Sequence, residues 1–300
     1  VNYRVTHTTT YVYEEAVSIC HNEVRLTPRS GPHQVARRTQ LLIDPPPSVL
    51  VAQTDYFGNP MHFLTLQEPH ERLAITAMSD VEVSAVPPPA VEDTPAWDTV
   101  HEVLRADRAP DALAAFQFAF ASPHVRPSAD VIAYATPSFP KGRPILEALL
   151  DLTHRINTDF TYDPEATTVS TPVADVLRER RGVCQDFAHL QIACLRALRL
   201  PARYVSGYIL TTPPPGKERL IGADASHAWV SAWIPDIGWV DLDPTNDVIP
   251  SGEHVTLGWG RDYGDICPIK GVVLGGGEHE MSVTVDVVPA PRDVPARSAI

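Results

Sequence analysis

The stretch Arg181-Gly182-Val183-Cys184-Gln185-Asp186-Phe187-Ala188-His189-Leu190 decides how the rest of the chain is read. A glycine sits just before a cysteine. Apolar residues then recur at Phe187, Ala188, Ile192, Ala193, Leu195 and Leu198, the spacing of a helix entered at or next to Cys184. A thiol there faces unpaired backbone N–H groups and the positive end of the helix dipole, and both favour the sulfur as a nucleophile. Downstream stand Ser226-His227-Ala228-Trp229 and Trp239-Val240-Asp241-Leu242-Asp243-Pro244-Thr245-Asn246. Cysteine, then histidine, then aspartate is the order of a nucleophile, a base and the group that orients the base.

Working outward, the period changes to two after Pro201. Residues 202–210, 227–234 and 238–243 read as strands, the last two joined by Pro235-Asp236-Ile237, and the proline-containing segment Thr211 to Glu218 reads as a loop. Upstream, residues 96–200 read as mainly helical. Helices are predicted over Trp97–Leu104, Asp111–Phe116, Ala129–Ala135 behind a Ser128 cap, Pro144–Phe160, and Thr171–Leu177 with proline in its first turn. The last of these closes in basic residues and the terminal glycine Gly182. A nucleophile helix packed on an antiparallel sheet that carries base and acid is an α+β arrangement.

Residues 1–86 read as short strands at fairly regular spacing: 1–13, 23–28, 40–44, a Gly58-Asn59 hairpin over 55–64, and 73–85. That pattern predicts an N-terminal β-sandwich domain. Residues 87–95, Pro-rich and acidic, form the expected linker, leaving 96–300 as the catalytic core with C-terminal strands. Those strands include Cys267–Val273 and, after the glycine turn Gly275-Gly276-Gly277, Met281–Val288. Pro289 stops the last one, and the rest to Ile300 reads as a frayed tail.

Composition removes several classes of function. A net charge of −13 argues against a nucleic-acid partner. No run of eighteen apolar residues offers a membrane span, and the first residues lack the basic and apolar regions of a secretory signal. Four cysteines (Cys20, Cys184, Cys194, Cys267) without a CxxC pair suggest a reduced, cytoplasmic chain. No EF-hand loop, P-loop or dinucleotide fingerprint is present, and Glu278-His279-Glu280 reads as a solvated turn, so neither cofactor nor metal is expected.

Within the constellation, His227 competes with His189, which stands five residues after Cys184 on another face of the same helix. Asp243, beside the strand end, is preferred to Asp241 as the orienting acid. Cys194 reads as core, and Cys20 and Cys267 lack a partner motif. Asp186 reads as a local cap. The Cys184 N–H is a candidate oxyanion donor, with Gln185 and Trp229 as guesses for a second.

Residues 182–188, 226–230 and 238–246 together resemble the bacterial transglutaminase-like family, often described as predicted cysteine proteases. The N-terminal strands resemble the β-sandwich region that precedes the core in that family, and Gly260-Arg261-Asp262-Tyr263-Gly264-Asp265 followed by Gly271-Val272 is similar to its C-terminal signature. The resemblance implies a papain-like α+β core, with Cys184 as nucleophile, His227 as base and Asp243 as the aspartate of the Asp-Pro-Thr element. It implies thiol-dependent acyl transfer on an amide or peptide bond of a peptide or protein substrate. Water is the default acceptor; the alternatives are an amine acceptor, as in transglutaminases, or a non-catalytic binding module. Animal transglutaminases carry calcium sites and extra β-domains, and this chain shows neither motif.

Overall fold

The first strand is longer than the sequence suggests. In this computed structural model, which describes residues 1–210 and 226–290, β1 spans Asn2–Val24 without a break. The exposed pair Glu14-Glu15 interrupts the β pattern in sequence, and a register shift between Val12 and Val17 absorbs it. After β1 come β2 (Gln34–Asp44), β3 (Val49–Thr54), β4 (Pro60–Leu66) and β5 (His70–Val83). They form the path β2-β5-β1-β4-β3. The first half of β1 pairs with β5 and its second half with β4. Leu64 and Leu66 of β4 share one buried cluster with Leu73, Ile75 and Ala77 of β5 and with Val17, Cys20 and Val24 of β1.

The connecting segment packs against the helical region. Thr94 is buried, its hydroxyl receives the Leu146 N–H at 3.4 Å, and Ile145 N–H donates to the Pro95 carbonyl at 2.8 Å. Helices α1 (Val100–Ala106), α2 (Pro110–Phe116), α3 (Ala129–Ala135) and α4 (Ile145–Asp159) then build a wall of apolar side chains. The Ser128 side chain caps α3 by accepting from Val131 N–H at 3.3 Å. A two-residue strand β6 (Thr161–Tyr162) and helix α5 (Val173–Glu179) lead to β7 (Arg181–Gly182), which pairs with β6 in parallel. The glycine expected to cap α5 does something else. Arg180 takes the left-handed cap conformation, with φ 55°, while a Cβ at Gly182 would lie 2.7 Å from an oxygen of Asp186. Gly182 is needed for close approach.

Helix α6 (Cys184–Ala197) is the centre of the core. Phe187 through Arg196 are all buried, as in a helix surrounded by protein. Gln191 donates to Thr153 Oγ1 at 2.8 Å, and Arg196 donates to the carbonyls of Phe118, Ala202 and Arg261. Against α6 lies a sheet of β8 (Ala202–Ile209), β9 (Ser226–Ile234), β10 (Gly238–Leu242) and β11 (His254–Gly260), in the order β10-β9-β8-β11, all antiparallel. A short α7 (Tyr263–Ile266) leads to β12 (Ile269–Gly275) and β13 (His279–Pro289).

The chain's last strands return to its first. β12 and β13 both pair with β1, antiparallel. A buried cluster of Tyr3, Val5, Val81, Val83, Val285 and Val287 packs on Tyr208, Val255 and Leu257 of the core sheet. The sequence reading counts β12 and β13 with the core, while their hydrogen bonds belong to the N-terminal sheet. The loop predicted at Thr211–Glu218 and the tail after residue 290 lie outside the described residues. Among the described residues, no helix is long and apolar enough to cross a membrane.

Candidate active site

Cys184 is the first residue of α6, partly exposed, behind the extended residue Val183. Asp186 holds this entry: its carboxylate accepts from Val183 N–H at 2.8 Å and from the Thr167 hydroxyl at 2.6 Å. The local-cap reading of Asp186 thus has a geometry. His227, near the start of β9, lies close enough to Cys184 for the sulfur to favour its protonated ring, and places Nε2 2.7 Å from Asp243 Oδ2. Asp243 stands just past the end of β10 and is fully buried. The structure therefore brings together all three residues singled out in sequence.

The proton positions follow from chemistry. A carboxylate only accepts, so Nε2 of His227 carries the hydrogen toward Asp243. Nδ1 remains as the ring atom able to exchange a proton with the Cys184 sulfur. Burial alone would disfavour a charged ring. The hydrogen bond to Asp243 and the nearby Cys184 sulfur outweigh it and push His227 up to about 10. Burial likewise opposes charge on Asp243, but hydrogen bonds from His227, His254 and Asn246 keep its carboxyl well below the usual range.

His254 is the residue that sequence reading missed. It opens β11, is buried, and places its own Nε2 3.0 Å from Asp243 Oδ2. Asn246 Nδ2 donates to the same oxygen at 2.7 Å, while Oδ1 takes the N–H groups of Thr245 and Asn246 at 3.0 and 3.2 Å. The ligand-type atoms of His227, Asp243 and His254 lie within 4.8 Å of one another, close enough to hold a metal ion. Their separations of 2.7 and 3.0 Å are those of N–H donors on a carboxylate, while His254 Nδ1, on the far side of its ring, is buried without a partner.

The rival candidates have other occupations. His189 is buried, accepts from Tyr263 N–H at 3.1 Å, and is pushed down to about 3 by burial. It seats the start of α7. Asp241 accepts the indole N–H of Trp229 at 3.1 Å. That bond, with Trp229 fully buried, takes Trp229 out of consideration as an oxyanion donor. Gln185 spends its amide N–H on the Val169 carbonyl at 3.2 Å. The backbone N–H groups at the start of α6 remain the donors nearest the sulfur. Cys20 and Cys194 are fully buried, and burial pushes Cys194 up to about 12. Cys267 is partly exposed, its sulfur 3.2 Å from the Tyr263 hydroxyl.

An uncharacterized protein of Mycobacterium tuberculosis (strain H37Rv) is 44% identical over 293 residues, covering 96% of this chain and 92% of that one. Residues 133–244 match the Transglutaminase-like superfamily, and residues 3–82 match the Bacterial transglutaminase-like N-terminal region. The chain belongs to the transglutaminase-like superfamily. A solved structure from Cytophaga hutchinsonii, described as a candidate cysteine protease, shares the fold with a TM-score of 0.72 at 22% identity, over 97% of this chain and 91% of that one. A protein-glutamine gamma-glutamyltransferase of Pseudomonas aeruginosa is 37% identical over 99 residues, 30% of this chain and 15% of that protein. The transglutaminase-like core match ends at Pro244, so it includes Cys184, His227 and Asp243 and stops short of His254.

Proposed function

We propose that the protein is a thiol-dependent acyl-transfer enzyme acting on an amide or peptide bond. One observation carries this reading: the His227 ring is hydrogen-bonded to the buried Asp243 carboxylate and lies beside Cys184 at the start of α6. In the proposed reaction the Cys184 thiolate attacks the carbonyl carbon, and helix N-terminal N–H groups receive the developing oxyanion. His227 Nδ1–H gives its proton to the leaving amine as the C–N bond breaks, which leaves a thioester on Cys184 and a neutral imidazole. A water molecule then gives a proton to Nδ1 and attacks the thioester; the C–S bond breaks, releasing a carboxylic acid and restoring the Cys184 thiolate beside the protonated ring. Asp243 keeps the ring in the tautomer that both steps need.

Hydrolysis is the preferred outcome because water needs no site of its own. Capture of the thioester by an amine would give a transglutaminase, and the partial match to the Pseudomonas aeruginosa glutamyltransferase supports keeping that acceptor in the assay. The proposed setting is a reduced compartment, consistent with four unpaired cysteines. The test is a library of peptide and isopeptide amides, turned over with and without an added primary amine. The expected result is release of amine by the native protein and none by Cys184→Ala. Turnover surviving in Cys184→Ala would overturn the assignment. An iodoacetamide rate at Cys184 no faster than at buried Cys20 would favour a non-catalytic module instead.

A further inference from the structure

A cleft of about 1070 Å³ lies on the side of the core sheet that faces the N-terminal sheet. It is just above the range of roughly 300–1,000 Å³ usual for sites that hold small molecules. Three of the chain's five tryptophans, Trp229, Trp239 and Trp259, line it together with Arg203, Arg29 and His254. Arg203, on β8, packs its guanidinium carbon 4.2 Å from the Trp239 ring centre and 3.8 Å from that of Trp259. The two indoles hold the guanidinium in place by its faces, an arrangement that leaves its edge for planar, two-point recognition.

The two arginines differ in how they are used. Arg29 also packs on Trp259, at 3.7 Å, but spends its N–H groups on the Phe57 carbonyl at 2.8 Å and on Asn59 Oδ1 at 3.0 Å. Among the described residues, no hydrogen bond or ion pair holds the Arg203 side chain, and its Nε is buried without a partner. Burial draws Arg203 down to about 9, against the pull of the Asp241 charge, so the group stays cationic at neutral pH. A guanidinium largely withdrawn from water with no acceptor is costly unless something outside the chain supplies one. Of the acids lining the cleft, Asp241 is engaged by Trp229 and Asp111 stands on exposed α2. The chain as a whole carries a charge of −13, whereas the lining of this aromatic cleft balances two arginines, Arg29 and Arg203, against two aspartates, Asp111 and Asp241.

We propose that this cleft is a second binding site, taking a carboxylate attached to a flat apolar body, with Arg203 as the anchor of the carboxylate and the partly exposed Trp239 together with Tyr56 and Phe57 of the lining as the bed for the body. The site does not depend on the chemistry at Cys184. It adjoins it, because His254 lines the cleft and also donates to Asp243. The same chemistry occurs in a free aromatic acid and in a peptide with an acidic residue beside an aromatic one.

The experiment uses the full-length Cys184→Ala protein, so that no thiol chemistry consumes the probe. Titration calorimetry compares 2-naphthoate, its neutral counterpart 2-naphthylmethanol, and acetyl-Trp-Glu-amide. Naphthoate is expected to bind at least tenfold tighter than the alcohol, or the peptide to show that margin over acetyl-Trp-Gln-amide; whichever pair shows it identifies the source. Arg203→Met should erase the margin, and Arg203→Lys should keep only part of it. Ala114→Glu, an exposed substitution at the cleft wall, should weaken the carboxylates at least threefold and leave the neutral probes unchanged. This variant decides the matter if Arg203→Met fails to fold. Equal affinity for charged and neutral probes, or a margin that persists in folded Arg203→Met, overturns the proposal without bearing on Cys184.

Discussion

Replacing Asp243 by asparagine removes the charge on which two histidines converge while keeping the shape of the side chain. The magnitude comes from His227. Its ring moves from an ordinary 6.5 to about 10 in the fold, with burial opposing the rise and the bond to Asp243, with the nearby Cys184 sulfur, producing it. A rise of that size, at ~1.36 kcal/mol per pH unit, is roughly 5 kcal/mol favouring the protonated ring in the folded chain. The sign is set by proton counts. Between pH 6.5 and 10 the folded chain holds a proton that the unfolded chain has lost, so this stabilisation is complete below 6.5 and disappears as pH rises toward 10. Asp243→Asn should therefore cost about 3–5 kcal/mol near pH 6, as removal of one partner from a buried pair does, and much less near pH 10. Asp243 acts in the other direction at low pH. Its depressed carboxyl stabilises the fold above its unfolded value and loses that effect in acid, so the variant should also be less sensitive to acid below about pH 4. Urea unfolding followed by tryptophan fluorescence at pH 6, 8 and 10 reads the difference. A gap between native protein and variant that is the same at pH 6 and pH 10 would refute the reasoning, because His227 would then not be the group holding the proton.

Three further outcomes are expected. His254→Phe removes an N–H that reaches Asp243 at 3.0 Å and should slow iodoacetamide labelling of Cys184 at pH 7 about tenfold, whereas His254→Gln, which keeps a donor, should stay within about threefold. Gly207→Ala would place a Cβ 2.1 Å from the Val255 carbonyl oxygen and 2.6 Å from the Trp229 ring, so urea unfolding should show a loss of about 3 kcal/mol or more. Arg196→Met strands the carbonyls of Phe118, Ala202 and Arg261 inside the core, and thermal unfolding should register a loss of about 3–5 kcal/mol.

The proposed nucleophile, base and acid were legible because each sits in a short pattern with its own physical meaning. Cys184 has the glycine and the helix period, His227 a strand start, and Asp243 the strand end at Asp-Pro-Thr-Asn. Helix α4 was legible for a similar reason: its apolar stripe is long, and Pro144 marks its start. His254 had no such signal. It lies in the polar segment Gly252-Glu253-His254, and its meaning appears only through sheet register, where His227 pairs with Gly207 and His254 with Ile209 on opposite sides of β8. No local periodicity encodes that relation. Gly182 misled in a different way, since a glycine after basic residues is the usual mark of a helix end. Here Arg180 supplies the left-handed residue and the glycine makes room for Asp186. The continuity of β1 was hidden by two exposed glutamates that the register shift tolerates.

The N-terminal sheet also has a part in the geometry of the site. β11 is the edge of the core sheet, and an edge strand presents unpaired backbone groups on its outer side. Among the described residues, no further strand covers it. Two amide side chains from the N-terminal region do so instead. Gln34 accepts from Thr256 N–H at 2.8 Å and donates to the Thr256 carbonyl at 2.7 Å. Asn59 accepts from Trp259 N–H at 3.0 Å and donates to the Trp259 carbonyl at 2.8 Å. Each reproduces one rung of a ladder, so the edge is satisfied without offering a template for another chain. His254 and Trp259 are both on this strand, one facing Asp243 and the other packed on Arg203. The N-terminal region therefore holds in register the strand that supplies Asp243 with its second histidine, and this gives a physical reason for the two parts to occur in one chain.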